Sequence, residues 1–202
     1  MKKILPIILL VFGLGLSESF AQTSNVIFSA EYQTGFLVGD ARDLVEKYSF
    51  RGFSISGEGF VDQNLAVGGE VGWTGFYQAF DRQTYHLRPG ADLTADLSNY
   101  LYIFPINATF AYYAFDGDAP IRPFAKIGAG AYYIEKENDF GYYYQEDDDW
   151  RFGLQPEVGV IASFGTGLGV VLKSKYTVIF YDKSDIDVIS YFNFNVGVTF
   201  TY

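Results

Sequence analysis

The chain has no cysteine, one histidine, one methionine and two tryptophans in 202 residues. The lack of cysteine excludes disulfides, thiolate metal sites, cysteine nucleophiles and a lipid anchor on an N-terminal cysteine. With His86 alone there is no zinc spacing, and no glycine-rich phosphate loop is present. Basic residues are outnumbered, 14 Lys and Arg against 24 Asp and Glu, for a formal charge of −10. That balance argues against nucleic acid as a partner, because phosphate binding needs a basic surface. Long apolar runs are missing beyond the N-terminus, so any membrane crossing by the rest of the chain has to be made with strands.

What is present is aromatic and glycine-rich. Hydrophobic residues make up 49% and aromatics 19%, with 20 Phe, 17 Tyr and 22 Gly. That mix suits strands with many half-exposed aromatic positions. The first residues read as a secretory signal peptide over 1–21: Lys2 and Lys3, an apolar stretch from Ile4 to Leu16, then Ser19-Phe20-Ala21 before a cut. Thirteen apolar residues are too few to span a bilayer comfortably, which takes about 20. Residues 22–202 then form one domain.

From there the period is two. The alternation predicts eight strands: Val26 to Phe36, Phe50 to Val61, Leu65 to Tyr77, Tyr100 to Tyr113, Ile121 to Tyr133, Phe152 to Phe164, Leu168 to Tyr181, and the closing stretch "YFNFNVGVTFTY". The last stretch sets Phe192, Phe194, Val196, Val198, Phe200 and Tyr202 against Asn193, Asn195, Gly197, Thr199 and Thr201. The connections alternate in length. Asp62-Gln63-Asn64, Ala114 to Pro120 and Gly165-Thr166-Gly167 are short. Leu37 to Ser49, Gln78 to Asn99, Ile134 to Trp150 and Asp182 to Asp187 are the other set, and fall at the opposite end.

The apolar faces carry few charges, whereas the opposite faces carry Glu31, Glu58, Glu70, Lys126, Glu157, Lys173 and Lys175 among many glycines. A soluble barrel reverses this, with an apolar interior. The expected fold is all-β: an eight-stranded antiparallel up-and-down transmembrane β-barrel, closed because lipid offers an open sheet edge no hydrogen bonds. A soluble periplasmic barrel or sandwich is the alternative. Eight strands leave room inside for side chains and no open channel, so the enclosed acids and lysines are expected to pair, with the glycines making space for them. Aromatics are expected at both interfaces: Trp73, Tyr77, Tyr102, Tyr133, Phe152 and Phe180 at the loop end, and Phe60, Phe110, Tyr112, Phe164, Phe200 and Tyr202 at the turn end. Pro105 and Pro156 fall inside strands, where each predicts a bulge or a local break. Arg51 falls on the lipid face at the loop end, placed to snorkel to headgroups or to sit above the bilayer.

Three stretches, "RPFAKIGAGAYY", "YLYIFPINATFAYY" and "NVGVTFTY", resemble the small eight-stranded outer-membrane β-barrel proteins of Gram-negative bacteria, the OmpA/OmpX-like kind. The resemblance covers residues 22–202 and implies residence in outer-membrane lipid. It also implies a C-terminal signal for the barrel-assembly machinery at Val198, Phe200 and Tyr202, although Phe is the commoner final residue. It identifies an architecture and no activity.

Two loop features carry the remaining functional expectations. His86, in "DRQTYHLRPG" near Asp81, Thr84 and Ser98, permits a lipid A-modifying acyltransferase or deacylase of the kind found on similar barrels, though no spacing requires one. The stretch 134–150 mixes Glu135, Glu137, Asp139, Glu146, Asp147, Asp148 and Asp149 with Tyr142, Tyr143, Tyr144 and Trp150. It does not match an EF-hand. As a tyrosine-rich acidic surface it is a candidate for an external ligand. The expected role is structural or interactive, with four external loops displayed, no open pore, no cofactor and no catalytic residue.

Overall fold

Alternating apolar and polar residues from Val26 onward build strands that pair only with their sequence neighbours, and the last closes on the first. In the computed structural model the order is a closed barrel, β1-β2-β3-β4-β5-β6-β7-β8, with every pair antiparallel. The backbone is described for residues 26–88, 91–114, 119–139, 144–165, 167–183 and 186–202; within these, the side chains of 43, 80–97, 138–146 and 182–186 are not described. The proposed signal peptide lies outside the described residues. No helix among those described is long and apolar enough to cross a membrane, which says nothing of crossing by strands.

The strands are β1 (Val26–Val38), β2 (Gly52–Phe60), β3 (Leu65–Arg88), β4 (Ala91–Tyr113), β5 (Ile121–Asp139), β6 (Tyr144–Ser163), β7 (Leu168–Lys183) and β8 (Ile186–Thr201). One circuit of paired residues runs Thr199, Ser29, Ser56, Glu70, Asn107, Gly130, Gly153, Ile179 and back to β8 at Ile189. It returns ten residues nearer the loop end than it began. That stagger is what closing a tilted eight-stranded sheet requires, at a tilt of roughly 40°.

Two of the expected loops are strands. The alternation predicts a connection over Gln78 to Asn99, yet β3 has 24 residues and β4 has 23, paired out to Arg88 and Ala91. Ile134 to Trp150 likewise continues as β5 and β6, paired to Asp139 and Tyr144. Because β4 and β5 also stay paired to Ser98 and Asp139, strands β3 to β6 rise past the rim as one four-stranded wall. The ladder between β2 and β3 stops at Gly52 and Thr74, and that between β6 and β7 at Gly153 and Ile179. The wall therefore has two open edges above the barrel.

Neither proline makes a bulge. Pro105 pairs with Tyr132 on β5, while the β3–β4 ladder lapses between Val71–Ile106 and Thr74–Ile103 and resumes in register. Pro156 pairs with Ile127, and the β6–β7 ladder lapses between Leu154–Val178 and Glu157–Lys175, again in register. Each ring removes a donor from one ladder only, and the other ladder holds the strand in place. At the tight β7 entry, Gly165 and Gly167 adopt φ of 79° and 76°, a conformation glycine takes without steric cost.

Candidate functional site: a filled barrel and an aromatic belt

Strand parity sorts the side chains. On β8, Phe194 and Val196 are 50% and 48% exposed while Asn193 and Asn195 are buried. The same division holds on β1, where Phe28 and Tyr32 point out and Ser29, Glu31 and Gln33 point in. Glu31, Glu58, Glu70, Lys126, Glu157, Lys173 and Lys175 are all buried inside the barrel.

Lys173 is the hub. Its ammonium lies 2.9 Å from Glu31, 3.0 Å from Glu70 and 3.0 Å from Glu157. Lys175 reaches Glu70 at 2.5 Å and also donates to Gln33 and Ser54. Lys126 pairs with Glu58 and lies 3.9 Å from Glu157. Polar side chains add hydrogen bonds to the network. Gln155 donates to Glu70 and Glu157 at 2.9 and 2.8 Å, Asn195 donates to Glu31 at 2.8 Å, and the Tyr113 hydroxyl donates to Glu58 at 2.7 Å. Burying these charges is tolerable because each is paired and hydrogen-bonded.

The sequence reading missed a fourth interior cation. Arg122 is 4% exposed, with its guanidinium 5.0 Å from the ring centres of both Phe60 and Tyr113. With it, four buried acids face four buried bases among the described residues. The signal was present in the parity that Arg122 shares with Lys126, but Phe124, also buried on that face, breaks the polar alternation. Phe60 is a correction of the same kind. It was expected in the outer girdle, yet it packs against the interior cluster with Tyr113, ring centres 5.2 Å apart. Gly57 and Gly59 blank out its neighbours on β2, so the pattern there does not show which face it takes.

The interior is also not polar throughout. At the turn end Ile27, Ala66, Ala111, Tyr113, Phe124, Ile161 and Val171 form an apolar layer. At the loop end Leu37, Phe76, Leu101, Ile103, Tyr132, Ile134, Ile179, Tyr181, Ile189 and Tyr191 form another. The second is capped from above by the β1–β2 connection, which turns through a 3₁₀ helix over Gly39–Asp43 and buries Ala41 and Val45 in the cluster. The cap is held at its margins: the Glu46 amide donates to Gln78 at 2.5 Å, Asn99 donates to the Leu44 carbonyl at 3.3 Å, and Ser49 donates to the Gly75 carbonyl at 2.5 Å. The ion network is thus sealed between two apolar layers.

Glycines make room where charges cross. A Cβ at Gly68 would press on Glu58, at Gly197 on Glu31, and at Gly159 on Lys173. Outside, aromatics ring the loop end: Phe36 with Phe192, Phe53 with Trp73, Phe104 with Tyr133, Tyr133 with Trp150, Phe152 with Phe180, and Tyr176 with Phe192, ring centres 4.7 to 6.3 Å apart. Rings of this kind mark the headgroup level of a barrel in lipid. Val198 and Phe200 lie on the outer face of β8, and Tyr202 is exposed beyond it while its backbone pairs with Val26.

Residues 7–200 match the model of the outer membrane protein beta-barrel domain. The chain belongs to that family. It is an integral outer-membrane barrel whose outer face meets lipid. Among solved structures it is similar to Neisserial surface protein A, at 18% identity and a TM-score of 0.50, over 89% of this chain and 97% of that one. It is also similar to a major outer membrane protein from Thermus thermophilus, at 14% identity and a TM-score of 0.53, over 88% and 99%. At these identities the likeness is one of fold. No curated protein matches the chain by sequence.

The catalytic expectation gains no geometry. His86 lies in β3 opposite Asp92, whereas Ser98 pairs with Ala79. Six residues of strand separate the two rows, roughly 20 Å of backbone. The side chains of Asp81, Thr84 and His86 lie outside the described residues. In 134–150, residues 140–143 and the side chains of 138–146 are likewise outside them; of the rest, Glu135 pairs with Asp148 across β5 and β6. No group of three or more His, Cys, Asp or Glu among the described residues is arranged to hold a metal ion.

Proposed function

We propose that this protein is a non-catalytic surface barrel: a plugged, rigid support that carries a wall of strands out of the membrane and displays it with two further connections to the exterior. The observation that carries this reading is the contrast between the two halves of the molecule. The lumen is filled from end to end by an apolar layer, an ion network and a second apolar layer under a cap. Strands β3 to β6, by contrast, continue well beyond the rim. A transport role asks for a lumen, and a recognition role asks for a raised surface.

In this reading residues 1–21 direct export and are removed, leaving 22–202 as the barrel. Glu31, Glu58, Glu70, Lys126, Glu157, Lys173 and Lys175 act as its internal scaffold. The outward stripe of Val198 and Phe200 on β8, the strand that seals the seam with β1, together with Tyr202 just beyond it, is the part the barrel-assembly machinery engages. The acidic, tyrosine-rich stretch 134–150 on the wall is the surface offered to an external ligand.

The test is deletion of residues 138–149 in cells, with adhesion and phage sensitivity measured beside outer-membrane levels of the protein. Loss of either phenotype with barrel levels unchanged supports the reading. Unaltered adhesion and phage sensitivity would remove the wall as the working surface.

A further inference from the structure

Where the cap meets the wall there is a half-enclosed pocket of about 50 Å³. Leu44 and Val45 line it from the cap, Asn99, Tyr100 and Leu101 from β4, and Lys136 from β5. Leu44, Val45 and Leu101 make one side of it apolar. Such a space holds a small branch of a ligand, about three non-hydrogen atoms, and no larger body.

One polar atom of the pocket is unmet. The Asn99 amide donates to the Leu44 carbonyl at 3.3 Å, which turns its nitrogen to the cap and leaves the oxygen as the other end. That oxygen is buried, and no donor among the described residues reaches it. A buried acceptor without a partner costs free energy, and a ligand that brings the donor recovers it.

The surroundings select the donor. An ammonium is repelled by Lys136, whose own ammonium sits 4.1 Å from the Tyr181 ring centre at the same mouth. A carboxylate has no proton to give. A peptide amide brings a carbonyl with it, and two backbone groups of the cap that would meet it are taken, the Leu44 carbonyl by Asn99 and the Glu46 amide by Gln78. A hydroxyl donates to Asn99 Oδ1 and still presents lone pairs to the lysine. Carried on a methylene, it also sets carbon against the apolar side. Charges of both signs surround the opening: Glu46 and Lys47 are exposed on the cap, and Asp147 stands opposite Lys136 on the wall. That balance favours a neutral ligand.

We infer that the pocket beside the cap is a saccharide site that takes the hydroxymethyl arm of a neutral hexose, with the hydroxyl on Asn99 and the methylene on Leu44, Val45 and Leu101. The site rests on the reading that the loop end faces outward, and it gives the raised wall a ligand class.

The test is saturation-transfer NMR on the protein in phospholipid nanodiscs, with three probes. These are a methyl glucoside, its deoxy counterpart with a methyl group in place of the hydroxymethyl, and N-acetylserine amide, which carries a hydroxymethyl on a peptide unit. Wild-type protein is expected to bind the glucoside about tenfold more tightly than the deoxy sugar, the worth of one buried hydrogen bond. Asn99→Leu removes the acceptor and abolishes the difference. Leu44→Phe fills the pocket, keeps the backbone carbonyl that Asn99 holds, and weakens both sugars. Heat-modifiable gel migration shows that the barrels are folded, and protection of 39–51 from protease shows that the cap is closed. Equal binding of the two sugars by wild-type protein, or an undiminished difference in Asn99→Leu, overturns the proposal. Serine amide bound as tightly as the glucoside overturns the saccharide assignment, and no saturation of any probe means a pocket for water alone and overturns it as well. Both ends of the barrel are open to the probes in nanodiscs, so failure here counts against the pocket and leaves the wall standing. Unaltered adhesion after deletion of 138–149 counts against the wall and leaves the pocket standing.

Discussion

Lys173 on β7 and Glu70 on β3 stand on opposite walls of the barrel, and their ammonium and carboxylate meet at 3.0 Å. The pair is a strut across the lumen, shared with Glu31 and Glu157. Lys173→Met leaves three carboxylates facing one another without their common partner. It is expected to destabilise the barrel by about 3–5 kcal/mol. The measurement is the urea midpoint of protein refolded into lipid vesicles. Adding Glu31→Gln to that variant recovers part of the loss, because Glu31 pairs with Lys173, whereas Glu70 also answers Lys175.

The rim behaves differently. Arg151 and Asp149 also pair closely, at 2.5 Å, but each side chain is 27% exposed at the mouth. Water and salt screen such a pair, and Arg151→Gln is expected to change the same midpoint by less than about 1 kcal/mol.

Glycines on the inner face divide into two groups. A Cβ at Gly197 would meet the Ala30 carbonyl and lie 2.7 Å from the Glu31 backbone and side chain, whereas one at Gly128 meets Asn107 and Gln155 at 3.5 Å, ordinary contact. Gly197→Ala is therefore expected to cost about 1–3 kcal/mol through overpacking. Gly128→Ala should be neutral or stabilising by up to about 1 kcal/mol, since it removes chain entropy from the unfolded state. Equal effects at the two sites in the urea assay would contradict the placement of the inner side chains.

The cap makes a local prediction. Val45 is 1% exposed in the apolar layer beneath the β1–β2 connection. Val45→Asp puts a carboxylate there without a partner, at a cost of at least about 2 kcal/mol. The connection can lift without breaking the ladder between β1 and β8. The expected outcome is faster proteolysis within 39–51 while the rest of the barrel resists the protease.

Much of this was legible in the sequence because a strand's period of two is a local property. The faces of β1, β7 and β8 follow from alternation alone, and closure follows from the lack of water to satisfy an edge in lipid. Other features depend on contacts that alternation does not encode. Gln78 to Asn99 reads as a loop because its residues are polar on both faces, as a ribbon standing in water allows. The cap is invisible for another reason: Ala41 and Val45 are unremarkable loop residues until Phe76, Leu101 and Tyr191 are brought beneath them from three other strands. Arg122 and Phe60 were missed where an aromatic or a pair of glycines interrupts the polar series on the inner face.

The central claim is that the apolar face of the sheet meets hydrocarbon and the polar face is enclosed. The lack of cysteine makes it directly measurable, since any introduced thiol is unique. Single-cysteine spin labels placed in turn from 192 to 200 in the bilayer-embedded protein report collisions with dissolved oxygen and with a water-soluble nickel chelate. High oxygen accessibility at the even positions, Phe194, Val196 and Val198 foremost, with little access to either reagent at Asn193, Asn195 and Thr199, is the predicted result. Oxygen accessibility at the odd positions, or nickel accessibility along the even ones, would contradict it.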